Sequence, residues 1–220
     1  MSLRMGEGMM SQQQIYTMGA MLRASAKRFG DADALVFPDR RLSYLELEAS
    51  ARRWAKALLA MGIQPGQNVG ILLPTSMEFI EAFYGIVMVG AVAVPVNARY
   101  QANELGYVVK DADLVALITT GKVTDVLDFG ARLVSALPSL AQAGDARSVH
   151  PAEAPMLRSV ICLDEDCPSY LLPASEALKA GQDVDDASVD DRIDSVRPED
   201  TAMILYTSGT TSHPKGAMIS

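Results

Sequence analysis

Apolar residues first recur in this chain at the spacing of a helix. In residues 17–29, Met18, Met21, Leu22, Ser25 and Phe29 share one side of a repeat of about 3.6 residues. Thr17 stands ahead of them as a cap and Gly30 behind them as a stop. The methionines suit core filling better than a ligand box. Two short runs, 34–37 and 41–44, flank Pro38-Asp39-Arg40, which predicts a hairpin. Ser43 and Glu46 then have the spacing of a capping box, and Gly62 ends the helix it opens. Leu47, Ala51, Trp54, Ala55, Leu58 and Leu59 form the buried face of that helix, which leaves Arg52, Arg53 and Lys56 to a solvated one.

From residue 65 the spacing alternates between continuous apolar runs and helical repeats. Pro65-Gly66 turns into a strand at 69–73, and Thr75 with Glu78 predicts a second capping box for a helix to about 89. Gly90 stops it, and residues 91–96 read as the next strand. A helix at 104–110 and a strand at 114–118 continue the series. Strands that are apolar on both faces, alternating with helices, call for right-handed crossovers and a parallel sheet covered on each side. The fold class is α/β, layered and Rossmann-like. Helical spacing resumes over 123–140, and residues 141–155 read as an exposed connection. Strands are expected at 157–163 and 202–206, with another beginning at Ala217-Met218-Ile219. There is no internal repeat.

Composition narrows the function. Of 220 residues, 49% are hydrophobic and 21% charged, as in an ordinary globular protein. Lys and Arg number 19 against 27 Asp and Glu, a net charge of −8. That balance argues against a broad nucleic-acid or anionic-membrane surface, so no nucleic-acid partner is expected and any phosphate site must be local. The longest apolar stretch, 83–96, is interrupted by Gly85, Gly90 and Pro95 and is too short for a transmembrane segment. The amino terminus lacks the layout of a signal peptide, and the expected location is cytoplasmic. Residues 1–10 read as a tag or flexible tail. Cys162 and Cys167 have no second pair for zinc, and thiols are expected of them rather than a disulfide. His150 reads as solvated. The acidic residues 164–166 and 183–194 lack calcium-loop spacing and read as a solvated surface. A Gly-x-Gly-x-x-Gly fingerprint and a Gly-x-Ser-x-Gly elbow are both missing, and neither histidine has a local triad pattern.

The chemistry gathers near the carboxyl end. The apolar run Ala202-Met203-Ile204-Leu205-Tyr206 feeds Thr207-Ser208-Gly209-Thr210-Thr211-Ser212-His213-Pro214-Lys215-Gly216. Glycine lets a backbone approach an anion and aim several N–H groups at it. Hydroxyls add donors or reach a phosphate-bound metal, and lysine supplies a compact cation. The pattern is not a Walker loop, because Pro214 precedes Lys215 and Gly216 follows it. A plain Gly/Ser/Thr turn is the alternative that composition alone allows.

This string resembles the phosphate-binding signature of the adenylate-forming superfamily, which comprises acyl- and aryl-CoA synthetases, peptide-synthetase adenylation domains and luciferases. It departs at one position, where Ser212 stands in place of the usual glycine. If that position requires positive φ, serine costs about 1–2 kcal/mol there. Leu42-Ser43-Tyr44-Leu45-Glu46-Leu47, Gln64-Pro65-Gly66-Gln67-Asn68-Val69 and Gly90-Ala91-Val92-Ala93-Val94-Pro95-Val96-Asn97 resemble amino-terminal landmarks of the same superfamily. The resemblance spans residues 11–220, which it identifies as the amino-terminal part of an adenylation domain, incomplete at its carboxyl end. It implies an ATP-dependent acid–thiol ligase of the fatty acyl-CoA synthetase type, with ATP, Mg2+ and coenzyme A as cofactors and a small carboxylic acid as substrate. By motif position, Thr207, Ser208, Gly209, Thr210, Thr211 and Lys215 would contact phosphate, and Thr207 would also touch magnesium. No catalytic residue is assigned, because the family's catalytic groups lie further along, and these 220 residues alone are expected to be inactive. The alternatives are a peptide-synthetase-type adenylation domain, or a non-catalytic unit that binds nucleotide or self-associates as a homo-oligomer through open sheet edges.

Overall fold

The structure, a computed structural model, describes residues 17–124, 127–207 and 214–220. Helix α1 (Met18–Phe29) follows Thr17 and ends where Gly30 takes a positive φ of 54°. Its buried residues are Gly19, Leu22 and Ala26, while Met21 is 47% and Phe29 46% exposed. The contact line therefore differs from the one expected. A side chain at Gly19 would stand 3.2 Å from the Met88 Cα, so small residues set the helix contact and the longer ones are turned outward. Phe29 instead packs its ring on Tyr44 at 5.1 Å.

Strands β1 (Asp33–Val36) and β2 (Arg41–Ser43) form the expected antiparallel hairpin. Helix α2 (Tyr44–Ala60) starts at a complete capping box: Ser43 Oγ accepts from the Glu46 N–H, and the Glu46 carboxylate accepts from the Ser43 N–H. Strand β3 (Asn68–Leu72) leads to α3 (Met77–Met88). The cap of α3 is Ser76, not Thr75: its hydroxyl accepts from the Phe79 N–H, and Glu78 pairs with Arg40 instead of closing a box. Strand β4 (Val92–Pro95), helix α4 (Ala102–Asp111) and strand β5 (Ala116–Thr119) continue the alternation. The helical spacing expected after residue 123 resolves into a small hairpin, β6 (Lys122–Thr124) with β7 (Leu127–Asp128), and then helix α5 (Phe129–Ala136). Asp128 caps α5, and a carboxylate in that place starts the helix later than apolar spacing alone implies.

Strands β8 (Ser159–Cys162) and β9 (Leu172–Pro173) precede α6 (Ala174–Ala180) and α7 (Asp186–Ser195), and the chain closes with β10 (Met203–Thr207) and β11 (Lys215–Ile219). Among the described residues, seven strands form one sheet in the order β11-β10-β4-β3-β5-β8-β9. Every pairing is parallel except that of β10 with β11. From β3 the chain moves outward to β4, then crosses back to place β5 on the other side of β3. Alternate residues of the central strands enter opposite cores. Ala116 and Ile118 join α1, α2, α3, α6 and α7 on one face, while Leu117 and Val160 join α4 and α5 on the other.

The two acidic stretches are largely exposed, as expected, and some of their carboxylates also make specific contacts. Asp186, Asp190 and Asp194 recur every four residues along α7, facing Lys56, Arg52 and Arg23. Arg52 bridges Glu48 and Asp190, and its side chain is 16% exposed, so this flank of α2 is covered and not free. Asp164 accepts from the Thr120 hydroxyl at 2.8 Å and from the Gly121 N–H at 2.6 Å, fixing the turn after β5. Cys162, fully buried at the end of β8, is joined to Cys167 in a disulfide, against the expectation of two thiols. The turn between them folds the chain back and brings their Cα atoms to 6.4 Å, which spacing along the sequence does not reveal.

Candidate functional site

Two of the expected phosphate-loop residues, Thr207 and Lys215, lie at the hairpin formed by β10 and β11. Thr207 ends β10, Lys215 begins β11, and the two are direct partners in the antiparallel register. Both are exposed. Ser208, Gly209, Thr210 and Thr211, together with Ser212, fall outside the described residues. The structure thus brings together the two ends of the expected cradle. A hydroxyl and an ammonium stand side by side at its mouth. Among the described residues Lys215 forms no ion pair, so its charge is not already matched there.

The motif does not reveal what holds the hairpin. Tyr206 donates its hydroxyl to the Asp111 carboxylate at 2.7 Å, and Tyr107 donates to the same carboxylate at 3.0 Å. Tyr100, almost fully buried, reaches the Tyr206 carbonyl oxygen at 3.5 Å. Burial, followed by the bond to Asp111, pushes the Tyr206 phenol well above its ordinary range, so it stays a neutral donor. In the sequence Tyr206 is the first residue of the signature segment and Asp111 an acidic residue near a helix end, and nothing local links the two. Gly216 faces Tyr206 across the register, where an added Cβ would lie 2.9 Å from Ile204 Cγ2 and 3.2 Å from the Tyr206 ring. Close approach is thus one constraint on the glycine of Pro-Lys-Gly.

The hairpin mouth is reached at the carboxyl end of β10, the end of a parallel strand at which α/β folds generally bind ligands. The neighbouring segment after β4 is also fastened. Asn97 accepts from the Arg99 N–H, and the Arg132 guanidinium donates to the Ala98 and Tyr100 carbonyls at 2.8 and 3.0 Å. Arg132 is consumed by this task, whereas Arg99 in the same segment and Lys215 on β11 are both exposed cations. For magnesium, Thr207 offers one neutral oxygen, and among the described residues no group of three His, Cys, Asp or Glu side chains could hold a metal. A single neutral oxygen is a donor that a magnesium ion bound to phosphate oxygens would accept.

A match to the family described as AMP-binding enzyme extends over residues 22–220. The chain belongs to that family. Among its curated relatives is the long-chain-fatty-acid–CoA ligase FadD13 of Mycobacterium tuberculosis, 32% identical over 202 residues, covering 91% of this chain and 34% of the ligase. Phosphinothricin tripeptide synthetase PhsC of Streptomyces viridochromogenes is 29% identical over 203 residues, covering 92% of this chain and 15% of the synthetase. The solved Mycobacterium tuberculosis fatty acyl CoA synthetase has a TM-score of 0.66 and 28% identity, covering 93% of this chain and 34% of that one. The chain thus spans about a third of the length of the CoA ligases it matches. Its fold is that of the amino-terminal region of AMP-binding enzymes, and the signature segment 206–216 lies inside the matched range. Among the described residues no helix is long and apolar enough to cross a membrane.

Proposed function

We propose that this chain supplies the triphosphate-binding part of an ATP-dependent acid–thiol ligase of the fatty acyl-CoA synthetase type. Residues 11–220 would form the amino-terminal part of its AMP-binding (adenylation) domain, and residues 1–10 a tail. The observation that carries the reading is the Thr207–Lys215 pair, set at the mouth of the signature hairpin of an AMP-binding family member. In the first step a carboxylate oxygen attacks the α-phosphorus of ATP, and pyrophosphate leaves. In the second, the sulfur of coenzyme A attacks the acyl carbon, and AMP leaves with the bonding pair. The difficulty of the first step is bringing one anion to another. Thr207, Ser208, Gly209, Thr210, Thr211 and Lys215 would offset it by holding the outer phosphates with hydroxyl and N–H donors and one cation. Magnesium would enter with ATP, Thr207 contributing one oxygen to it. A cytoplasmic location and a small carboxylic acid substrate complete the proposal.

The test is equilibrium binding of Mg-ATP and of pyrophosphate to the 220-residue chain and to Lys215→Ala. Loss of a charge-assisted contact should weaken pyrophosphate binding on the order of tenfold or more. Equal affinity in both proteins, or no saturable binding to the unsubstituted chain, would sink the reading. ATP–pyrophosphate exchange by the 220 residues alone is expected to stay at background. The similarity to phosphinothricin tripeptide synthetase PhsC supports a second reading, activation of an amino acid in place of a fatty acid. Exchange assays on the longer chain containing this segment, with fatty acids and amino acids as competing substrates, separate the two.

A further inference from the structure

The sheet releases β10 before that strand reaches the phosphate mouth. On the edge of β4 that faces β10, the Ala93 N–H donates to the Ala202 carbonyl oxygen at 2.9 Å. Among the described residues, Met203 opposite Ala93 is the only register pair that joins the two strands. Along one edge of a strand, ladder donors recur at every second residue, as Val92 and Val96 do toward the Gln67 and Ile71 carbonyls on the β3 side. The next donor toward β10 would be residue 95, and Pro95 has no N–H. Thr207 therefore lies beyond the last pair with β4, held by sheet bonds to β11 alone, which is itself an edge strand.

Side chains take over where the ladder stops. The Tyr206 ring packs against the core on the α4 side of the sheet, and its hydroxyl donates to Asp111, the last residue of α4, at 2.7 Å. Tyr107, one turn earlier on α4, donates to the other oxygen of that carboxylate at 3.0 Å, so the acceptor is oriented from both sides. A hairpin end that swings freely must be ordered when a ligand binds, and an anchor already in place removes part of that cost. Charge alone argues the other way, because a carboxylate near an anion site disfavours the anion.

We propose that Tyr206 and Asp111 are positioning residues of the phosphate hairpin, replacing the β4 ladder that Pro95 interrupts. The role rests on the reading of this hairpin as a triphosphate site. In the 220-residue chain, Tyr206→Phe keeps the packed ring and loses the bond, and should weaken pyrophosphate binding roughly three- to tenfold. Asp111→Ala should weaken it by a similar factor although it removes a negative charge, whereas Asp111→Asn, which keeps an acceptor oxygen, should restore the affinity. The double variant Tyr206→Phe with Asp111→Ala should lose little more than either alone, because one bond is removed in each case. Amide hydrogen exchange reads the anchor without any ligand. In Tyr206→Phe and Asp111→Ala the amides of residues 205–207 and 215–217 should exchange roughly three- to tenfold faster, with Ala93 unchanged. Circular dichroism checks folding, and if Asp111→Ala does not fold, Tyr206→Phe decides. Unchanged exchange at the hairpin overturns the proposal, as does pyrophosphate binding that Lys215→Ala weakens and Tyr206→Phe does not. Tighter binding by Asp111→Ala also overturns it, leaving the carboxylate only its charge. If Lys215→Ala binds normally, the triphosphate reading is what fails, and amide exchange alone judges the anchor.

Discussion

Glycine shows at the residue scale how much of a sequence signal is packing. At Gly85, on α3, a Cβ would come within 2.3 Å of Trp54 Cβ and 3.0 Å of the Ala51 carbonyl on α2, positions that cannot yield. At Gly216 the obstructing atoms are the ends of the Ile204 and Tyr206 side chains, on a strand pair at the edge of the sheet. Gly85→Ala should therefore lose about 1–3 kcal/mol by overpacking, and Gly216→Ala less. Urea midpoints of the two variants check this, and the reverse ranking would refute it. Sequence alone shows Gly85 only as an interruption of an apolar run. Its role depends on which helix lies against it.

Helix α7 carries the clearest argument at the scale of elements. Its polar, aspartate-rich sequence has little apolar face, with only Val189 and Ile193 buried near its centre. The ion pairs to Arg23, Arg52 and Lys56 complete its docking on α1 and α2. The bonds to Arg52, then to Arg23, hold the Asp190 carboxyl below its ordinary range, although burial opposes them. A depressed folded-state value means the stabilisation is complete above the unfolded value, about 3.9, and is lost as pH falls through the folded one. Asp190 is 42% exposed, so solvent screening keeps the contribution to about 1 kcal/mol or less. Asp190→Asn should accordingly lower stability at neutral pH and by a shrinking amount as the pH approaches about 3. Denaturation curves at several pH values test this, and a gap that widens on acidification would contradict it.

At the scale of the whole molecule, the sheet formed by the described residues has β11 at one edge, and the residues of that strand are mostly exposed, with Met218 at 75%. An uncovered five-residue edge carrying one lysine at its start is a template for further strand pairing. The chain is expected to self-associate through it as concentration rises. Met218→Lys should reduce the mean mass seen by light scattering at the highest concentrations, and identical masses for both proteins would count against the edge as the contact. The same edge lies beside the phosphate hairpin. Pyrophosphate binding and association should therefore be measured on the same samples.

The sequence alone determined the alternation of strands and helices, the α/β class and the place of the signature segment, because those depend on local periodicity, caps and turn residues. Ser43 with Glu46 is the plainest case, a box specified by four residues and found as expected. Contacts between residues far apart in the chain were decided only by the tertiary structure. It turned Met21 and Phe29 outward, drew Arg52 to Asp190 across 138 positions, and joined Cys162 to Cys167 around a turn. At the site, sequence identified Thr207 and Lys215. The fold made them direct partners and fastened Tyr206 to Asp111, 95 positions away, a bond that no local pattern encodes.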